Sequence, residues 1–163
     1  MEEVIYVNTG EVKVAMGKAG LLAIAIGSCI VVAALDSKKK VGAMAHIMLP
    51  GRAPRQYLEK TKYAFDAIEK LLNLMLEAGS NPDDIEVCLV GAGNVLEKEN
   101  DTICDANIES VTGILKEKNI PVKASVLGGT ERKGVVLDTE AGSIFYTEGD
   151  EKEKILWQTS RQK

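Results

Sequence analysis

The sequence predicts an α+β layered sandwich (α/β in looser wording), with mixed β-sheets and two main helices segregated on one side. Three observations lead there. Short strand-like runs fill residues 4–49 and 122–146, apolar residues recur at three- and four-residue steps only in between, and Gly, Pro, Asn and Asp clusters punctuate the chain. A length of 163 residues suits one hydrophobic core, so a single domain over 1–163 is expected, with a charged tail at 148–163.

Val4-Ile5-Tyr6-Val7 is a short apolar run closed by the turn cluster Asn8-Thr9-Gly10. Val12, Val14 and Met16 then alternate with Glu11, Lys13 and Ala15, the period of a half-buried strand. Residues 21–26 are continuously apolar and stop at Gly27-Ser28. Residues 29–35 are apolar again, 36–40 form a charged turn, and 41–49 resume the strand pattern up to Pro50-Gly51.

The period changes in the middle. Between 56 and 78, Tyr57, Thr61, Ala64, Phe65, Ile68, Leu72, Met75 and Leu76 fall at helical spacing, and Gly79 supplies the C-cap. Pro82 breaks the chain, and 85–90 reads as a buried strand entering Gly91-Ala92-Gly93. A second helix is expected over 106–118, with Ile108, Val111, Thr112 and Leu115 on one face and Asn119 and Pro121 ending it. Strands follow at 122–127, 134–137 and 143–146, separated by turns at Gly128-Gly129 and 140–142. In the tail, Ile155, Leu156 and Trp157 mark one short packed element before the end frays.

Composition removes several classes of function. A net charge of -4 argues against a nucleic-acid binder, which carries a basic face. No apolar run reaches the ~18 residues of a membrane span, and Met1-Glu2-Glu3 does not open a secretory leader. Three cysteines, at 29, 88 and 104, are odd in number and widely spaced, which fits a reducing cytoplasm rather than a disulfide scaffold. The one histidine, His46, excludes histidine-rich metal sites, and no metal or other cofactor is expected. Gly91-x-Gly93 has Leu96 where a dinucleotide fingerprint needs its third glycine. Lys38-Lys39-Lys40 reads as a solvated hairpin tip, and Cys88 and Cys104 as structural.

Chemistry concentrates on Cys29 and His46. If 29–35 and 41–49 pair as a hairpin around a loop of 37–38 or 36–39, the two residues are directly opposed on one sheet face. An odd loop would leave them diagonal. An imidazole beside a thiol takes its proton and returns it to a leaving amine, and a thiol so activated is expected to have a lowered pKa. The turn at Gly27-Ser28 would present backbone N–H groups as an oxyanion hole. These parts specify acyl transfer through a thioester. The bland alternative is that Cys29 is a small core hydrophobe.

Gly27-Ser28-Cys29, followed by a strand and then residues 41–50 (VGAMAHIMLP), resembles the signature of the CheD chemoreceptor glutamine deamidases. Lys62-Tyr63-Ala64 with Asp66-Ala67-Ile68, Gly91-Ala92-Gly93, Asn107, and Gly128-Gly129 with Arg132 and residues 139–144 add to the match, which runs over 4–147. The resemblance implies a cytoplasmic layered fold and hydrolysis of selected receptor glutamine side chains to glutamate. It makes Cys29 the nucleophile and His46 the general base and acid. The family's third catalytic position, a threonine six residues before the cysteine, is Ala23 here.

The resemblance also implies two partners, chemoreceptor cytoplasmic helices and a CheC-type phosphatase. Arg52 and Arg55 are candidates to steer an acidic receptor helix, and Gly128 and Gly129 to border its cleft. The alternative, which Ala23 favours, is a weakly active or non-catalytic adaptor that binds receptors and the phosphatase.

Overall fold

The computed structural model describes residues 1–100 and 102–159. Among them are ten strands and two α-helices, arranged in three layers. The outer sheet has the order β1-β3-β8-β9-β10 and the central sheet β2-β5-β4-β6-β7. Both helices cover the far face of the central sheet, as the sequence predicts.

β1 (Glu3–Tyr6) runs parallel to β3 (Ala19–Ile26), and β3 pairs antiparallel with β8 (Lys133–Asp138). β9 (Ser143–Glu148) and β10 (Lys154–Gln158) complete the outer sheet. Trp157 sits on that last strand, its indole Nε1 donating to Glu86 Oε2 at 2.9 Å in the central sheet. The expected fraying of the final residues, 160–163, lies outside the described residues.

β4 (Ile30–Asp36) and β5 (Val41–Ile47) occupy the middle of the central sheet, flanked by β2 (Val12–Met16) and by β6 (Glu86–Gly91), which is followed by the parallel β7 (Val122–Leu127). Every residue of β4 and β5 is buried, which explains their unbroken apolar character. Val31, Ala33 and Leu35 pack toward the outer sheet with Leu21, Val135 and Leu137. Ile30, Val32 and Ala34 pack toward Ile68, Leu71 and Met75 of α1 (Ala64–Glu77) and Val111 and Leu115 of α2 (Thr102–Glu117).

Three local expectations need correction. The first helix begins at Ala64 rather than near 56, because the chain first doubles back beside the end of β5. Leu49 bridges Tyr63, and the Ala64 N–H donates to the Leu49 carbonyl at 2.9 Å. Tyr57 and Thr61, expected on that helix, instead stack edge-on against Tyr63 and bond the Gly10 carbonyl. The second helix starts at Thr102, and its buried stripe is Cys104, Asn107, Val111 and Leu115, leaving Thr112 exposed.

The hairpin register also differs. Asp36 belongs to the ladder, opposite Val41, and its Oδ1 accepts from the Lys38 and Lys39 N–H groups at 3.1 and 3.3 Å. That Asx turn, closed by Lys40 in the left-handed region at φ 56°, sets the loop as 37–40. Consequently Val31, not Cys29, stands opposite His46.

Candidate active site

The site grows from a change of sheet. β3 ends in the outer sheet, β4 begins in the central one, and Gly27-Ser28-Cys29 makes the crossing. Cys29 precedes β4 by one residue and packs with the cluster between the sheets. His46 faces the same interior, two positions along from Met44, and is 5% exposed. The loop is even, as required, but its one-residue offset puts Cys29 and His46 on a diagonal of one face rather than opposite each other. Diagonal positions lie about 7–8 Å apart, closer at Cβ, so the side chains project into the same region.

Three successive carbonyls of the crossing are held. Gly27 O accepts from the Gly93 N–H at 2.8 Å and Cys29 O from the Ala92 N–H at 2.7 Å. Between them, Ser28 O accepts from Asn107 Nδ2 at 3.0 Å, and the same amide reaches Met48 O at 3.2 Å. Asn107 thus clamps the start of β4 to the end of β5 from a fully buried position on α2. In a trans peptide the N–H points away from its carbonyl, so the Ser28 and Cys29 N–H groups face away from these anchors.

Gly91 explains why the central strand ends in a glycine pair. It has φ 133°, and a Cβ there would lie 2.3 Å from Cys29 O. Gly128 and Gly129 act one step further out. The Asn94 N–H donates to Gly129 O, and the buried Lys133 ammonium is tied to Gly128 O and, at 3.2 Å, to Glu131 O.

His46 is oriented by backbone. Its Nδ1 lies 3.0 Å from Val7 O, a pure acceptor, so Nδ1 carries the proton and Nε2 is left as the basic atom. Burial lowers the His46 pKa from its ordinary 6.5, against the opposing pull of the Val7 bond and the Glu11 charge. Burial also raises the Cys29 thiol above its ordinary 9.0, opposed by a hydrogen bond from the Thr9 side chain and by the residue's own N–H. This corrects the expected lowering of the thiol pKa. At neutral pH the pair rests as neutral thiol and neutral imidazole.

Two adjoining cavities open on the pair. One, of about 320 Å³, is lined by Cys29, Ser28, Gly93, Leu96, Lys98 and Arg132 among others. The second, of about 390 Å³, is lined by His46, Val7, Thr9, Tyr6 and Ile24 among others. Ala25, at a bulge of β3 and at φ 54°, lines both. Ala23 is buried in the inter-sheet core and brings only a methyl group. Arg52 stands 3.9 Å over the Phe65 ring, and neither it nor the exposed Arg55 lines these cavities. Lys98 and Arg132 are the cations beside Cys29.

Sequence reasoning missed the Val7 carbonyl and the clamp made by Asn107. Only the last left a signal, a polar residue on a helix stripe otherwise made of Cys104, Val111 and Leu115.

The raised thiol pKa gives a first expected outcome. Iodoacetamide should label Cys29 slowly at neutral pH, because the thiolate fraction is small, with a rate that climbs to a midpoint above 9.0. Cys88, fully buried and pushed up to about 12, should stay unlabelled across that range. Peptide mapping after timed alkylation at stepped pH measures both.

Comparison with known proteins adds three findings. A family described as CheD chemotactic sensory transduction matches residues 48–148. A probable chemoreceptor glutamine deamidase CheD of Chlorobium luteolum is 39% identical over 155 residues, covering 94% of this chain and 77% of the relative. Relatives with the same family name are 32% identical in Archaeoglobus fulgidus (94% of this chain, 97% of the relative) and 30% in Thermotoga maritima (85% and 88%). The family match begins just past His46, but an alignment spanning 94% of the chain includes positions 29 and 46 wherever it starts.

Proposed function

The chain belongs to the CheD family, and on that premise we propose that it is a protein-glutamine deamidase of chemotaxis receptors. It acts in the cytoplasm as one unit over 1–163 and converts selected receptor glutamine side chains to glutamate. One observation carries the reading for this chain: Cys29 and His46 share the face between the sheets, and the Val7 carbonyl leaves His46 Nε2 as the free base.

In the proposed mechanism Nε2 takes the thiol proton as Cys29 Sγ attacks the carboxamide carbon. The N–H groups of Ser28 and Cys29 receive the developing oxyanion. His46 then gives its proton to the departing nitrogen, releasing ammonia and leaving a thioester. It next deprotonates a water that attacks the thioester carbon, and collapse frees glutamate and restores the thiol. A neutral resting pair suits this sequence, since proton and nucleophile move together rather than waiting as an ion pair.

Receptor cytoplasmic helices are the proposed substrate, with Lys98 and Arg132 added to Arg52 and Arg55 as cations that meet their acidic residues. Ala23 supports a second reading, in which the chain is a weakly active adaptor binding receptors and a CheC-type phosphatase. Mass spectrometry of a receptor cytoplasmic fragment, with ammonia release, separates the two. Wild-type protein should convert glutamine to glutamate. No conversion by wild type, together with conversion by Ala23→Thr and capture of CheC in a pull-down, would favour the adaptor.

A further inference from the structure

The three carbonyls of the Gly27-Ser28-Cys29 crossing are not held alike. Those of Gly27 and Cys29 accept from main chain, the Gly93 and Ala92 N–H groups, at 2.8 and 2.7 Å. The middle one, Ser28 O, accepts from a side chain, Asn107 Nδ2 of α2, at 3.0 Å. Ser28 O and the Cys29 N–H are opposite ends of one trans peptide. Whatever fixes that carbonyl therefore fixes the direction of the N–H.

The surroundings of Asn107 settle which way its amide points. Nδ2 also donates to Met48 O at 3.2 Å, and two carbonyl acceptors on one side require the nitrogen there. Met48 lies two residues past His46, so one amide ties the nucleophile's peptide to the chain that carries the base. Asn107 is fully buried, and its Oδ1 has no hydrogen-bond partner among the described residues. A buried acceptor left unmatched weakens a fold. Packing alone therefore does not account for an amide on a stripe otherwise made of Cys104, Val111 and Leu115.

We propose that Asn107 is a positioning residue for the oxyanion: by donating to Ser28 O it aims the Cys29 N–H at the attacked carbonyl oxygen. The bond also polarises the Ser28–Cys29 peptide, which makes its N–H a stronger donor. Asn107 acts through that peptide rather than on the substrate, so its effect is confined to steps that form an oxyanion. The inference deepens the deamidase reading and rests on it for turnover. Acyl transfer to Cys29 from a small ester tests it without the receptor.

Two reagents separate this role from a merely structural one. p-Nitrophenyl acetate acetylates the Cys29 sulfur through a tetrahedral oxyanion, p-nitrophenolate leaves, and the thiol proton passes to solvent. Iodoacetamide alkylates the same sulfur by displacing iodide, with no oxyanion. The ratio of the two rates cancels any change in thiolate fraction, and peptide mapping against Cys29→Ala assigns both to Cys29. Asn107→Leu and Asn107→Ala each remove both donors without adding charge. Each should lower the ratio on the order of tenfold, less than the roughly hundredfold or more that follows loss of an oxyanion donor itself. On the receptor fragment kcat should fall by a similar factor with KM unchanged. Melting curves establish which variants are folded, and where Asn107→Leu is not, Asn107→Ala decides. An unchanged ratio in a folded variant would overturn the proposal. A lowered ratio with no glutamine conversion by wild type would uphold the role of Asn107 and overturn the deamidase reading alone.

Discussion

Replacing Cys29 by Ser should abolish conversion of receptor glutamine, lowering the rate by at least about a thousandfold, the scale seen when a catalytic nucleophile is removed. The physical reason lies in the neighbouring base. Burial lowers the pKa of His46, so its Nε2 is a weak acceptor. It is able to share a thiol proton, but a serine hydroxyl is far less acidic. The fold should not change, since Cys29 is only half-buried and Ser is close in size. The check is glutamate formation by mass spectrometry with a melting curve alongside, which should superimpose on that of wild type.

The second large effect is structural and reaches the chemistry through the backbone. Gly91→Ala places a Cβ 2.3 Å from Cys29 O, 2.9 Å from Ile26 Cγ2 and 3.2 Å from Ile30 Cα, at a φ of 133° that side chains avoid. Overpacking and backbone strain together should cost about 3 kcal/mol. For a domain of this size that corresponds to a Tm lower by roughly 10 °C. The atoms that must give way belong to the nucleophile's own peptide, so turnover at a temperature where the variant is folded should also fall, on the order of a hundredfold. Gly113→Ala is the control. It sits on α2 with nothing within 4 Å of the added methyl, and it should raise stability by about 0.5–1 kcal/mol with unchanged turnover. Calorimetry and steady-state kinetics on both variants decide the matter.

Much of the layered architecture was legible because burial writes itself into period. β4 and β5 are buried on both faces and read as unbroken apolar runs, while in β2 the expected alternation holds only in part, since Val12 and Val14 pack on the helix side but Ala15 is buried toward the outer sheet and Met16 is exposed. The Gly27-Ser28-Cys29 turn and His46 stand out for the same reason, as the breaks in those runs. Which sheet each strand joins was not legible: β3 and β4 are separated by three residues yet lie in different layers, a choice made by tertiary packing. The hairpin register escaped because Asp36 could belong to the strand or to the turn, and its side-chain bonds to Lys38 and Lys39 settle that only in three dimensions. The helix start escaped because 56–63 has helical spacing but is drawn back along β5 by the Leu49–Tyr63 bridge.

The partners of Cys29 and His46 were hidden for a different reason. Val7 directly follows β1, far from His46 in sequence, and a backbone carbonyl has no residue signature at all. Arg52 and Arg55 were the visible cations near His46 in sequence; neither lines the two cavities, while Lys98 and Arg132 reach the Cys29 cavity from later loops. Sequence proximity therefore singled out Cys29 and His46, and the surroundings of the pair come from elements distant in sequence.

The claim at the centre of this account is that glutamine turnover passes through a thioester on Cys29. The most direct measurement is acid quench of a single turnover with the receptor fragment, followed by intact-mass and peptide analysis of the protein. The account predicts a covalent complex of enzyme and fragment with the loss of ammonia, mapped to Cys29 and released by hydroxylamine. It also predicts little or no complex in His46→Asn, because the same imidazole takes the thiol proton and protonates the departing ammonia before the thioester exists. Turnover that survives in Cys29→Ser, with no complex at any time point, would contradict it.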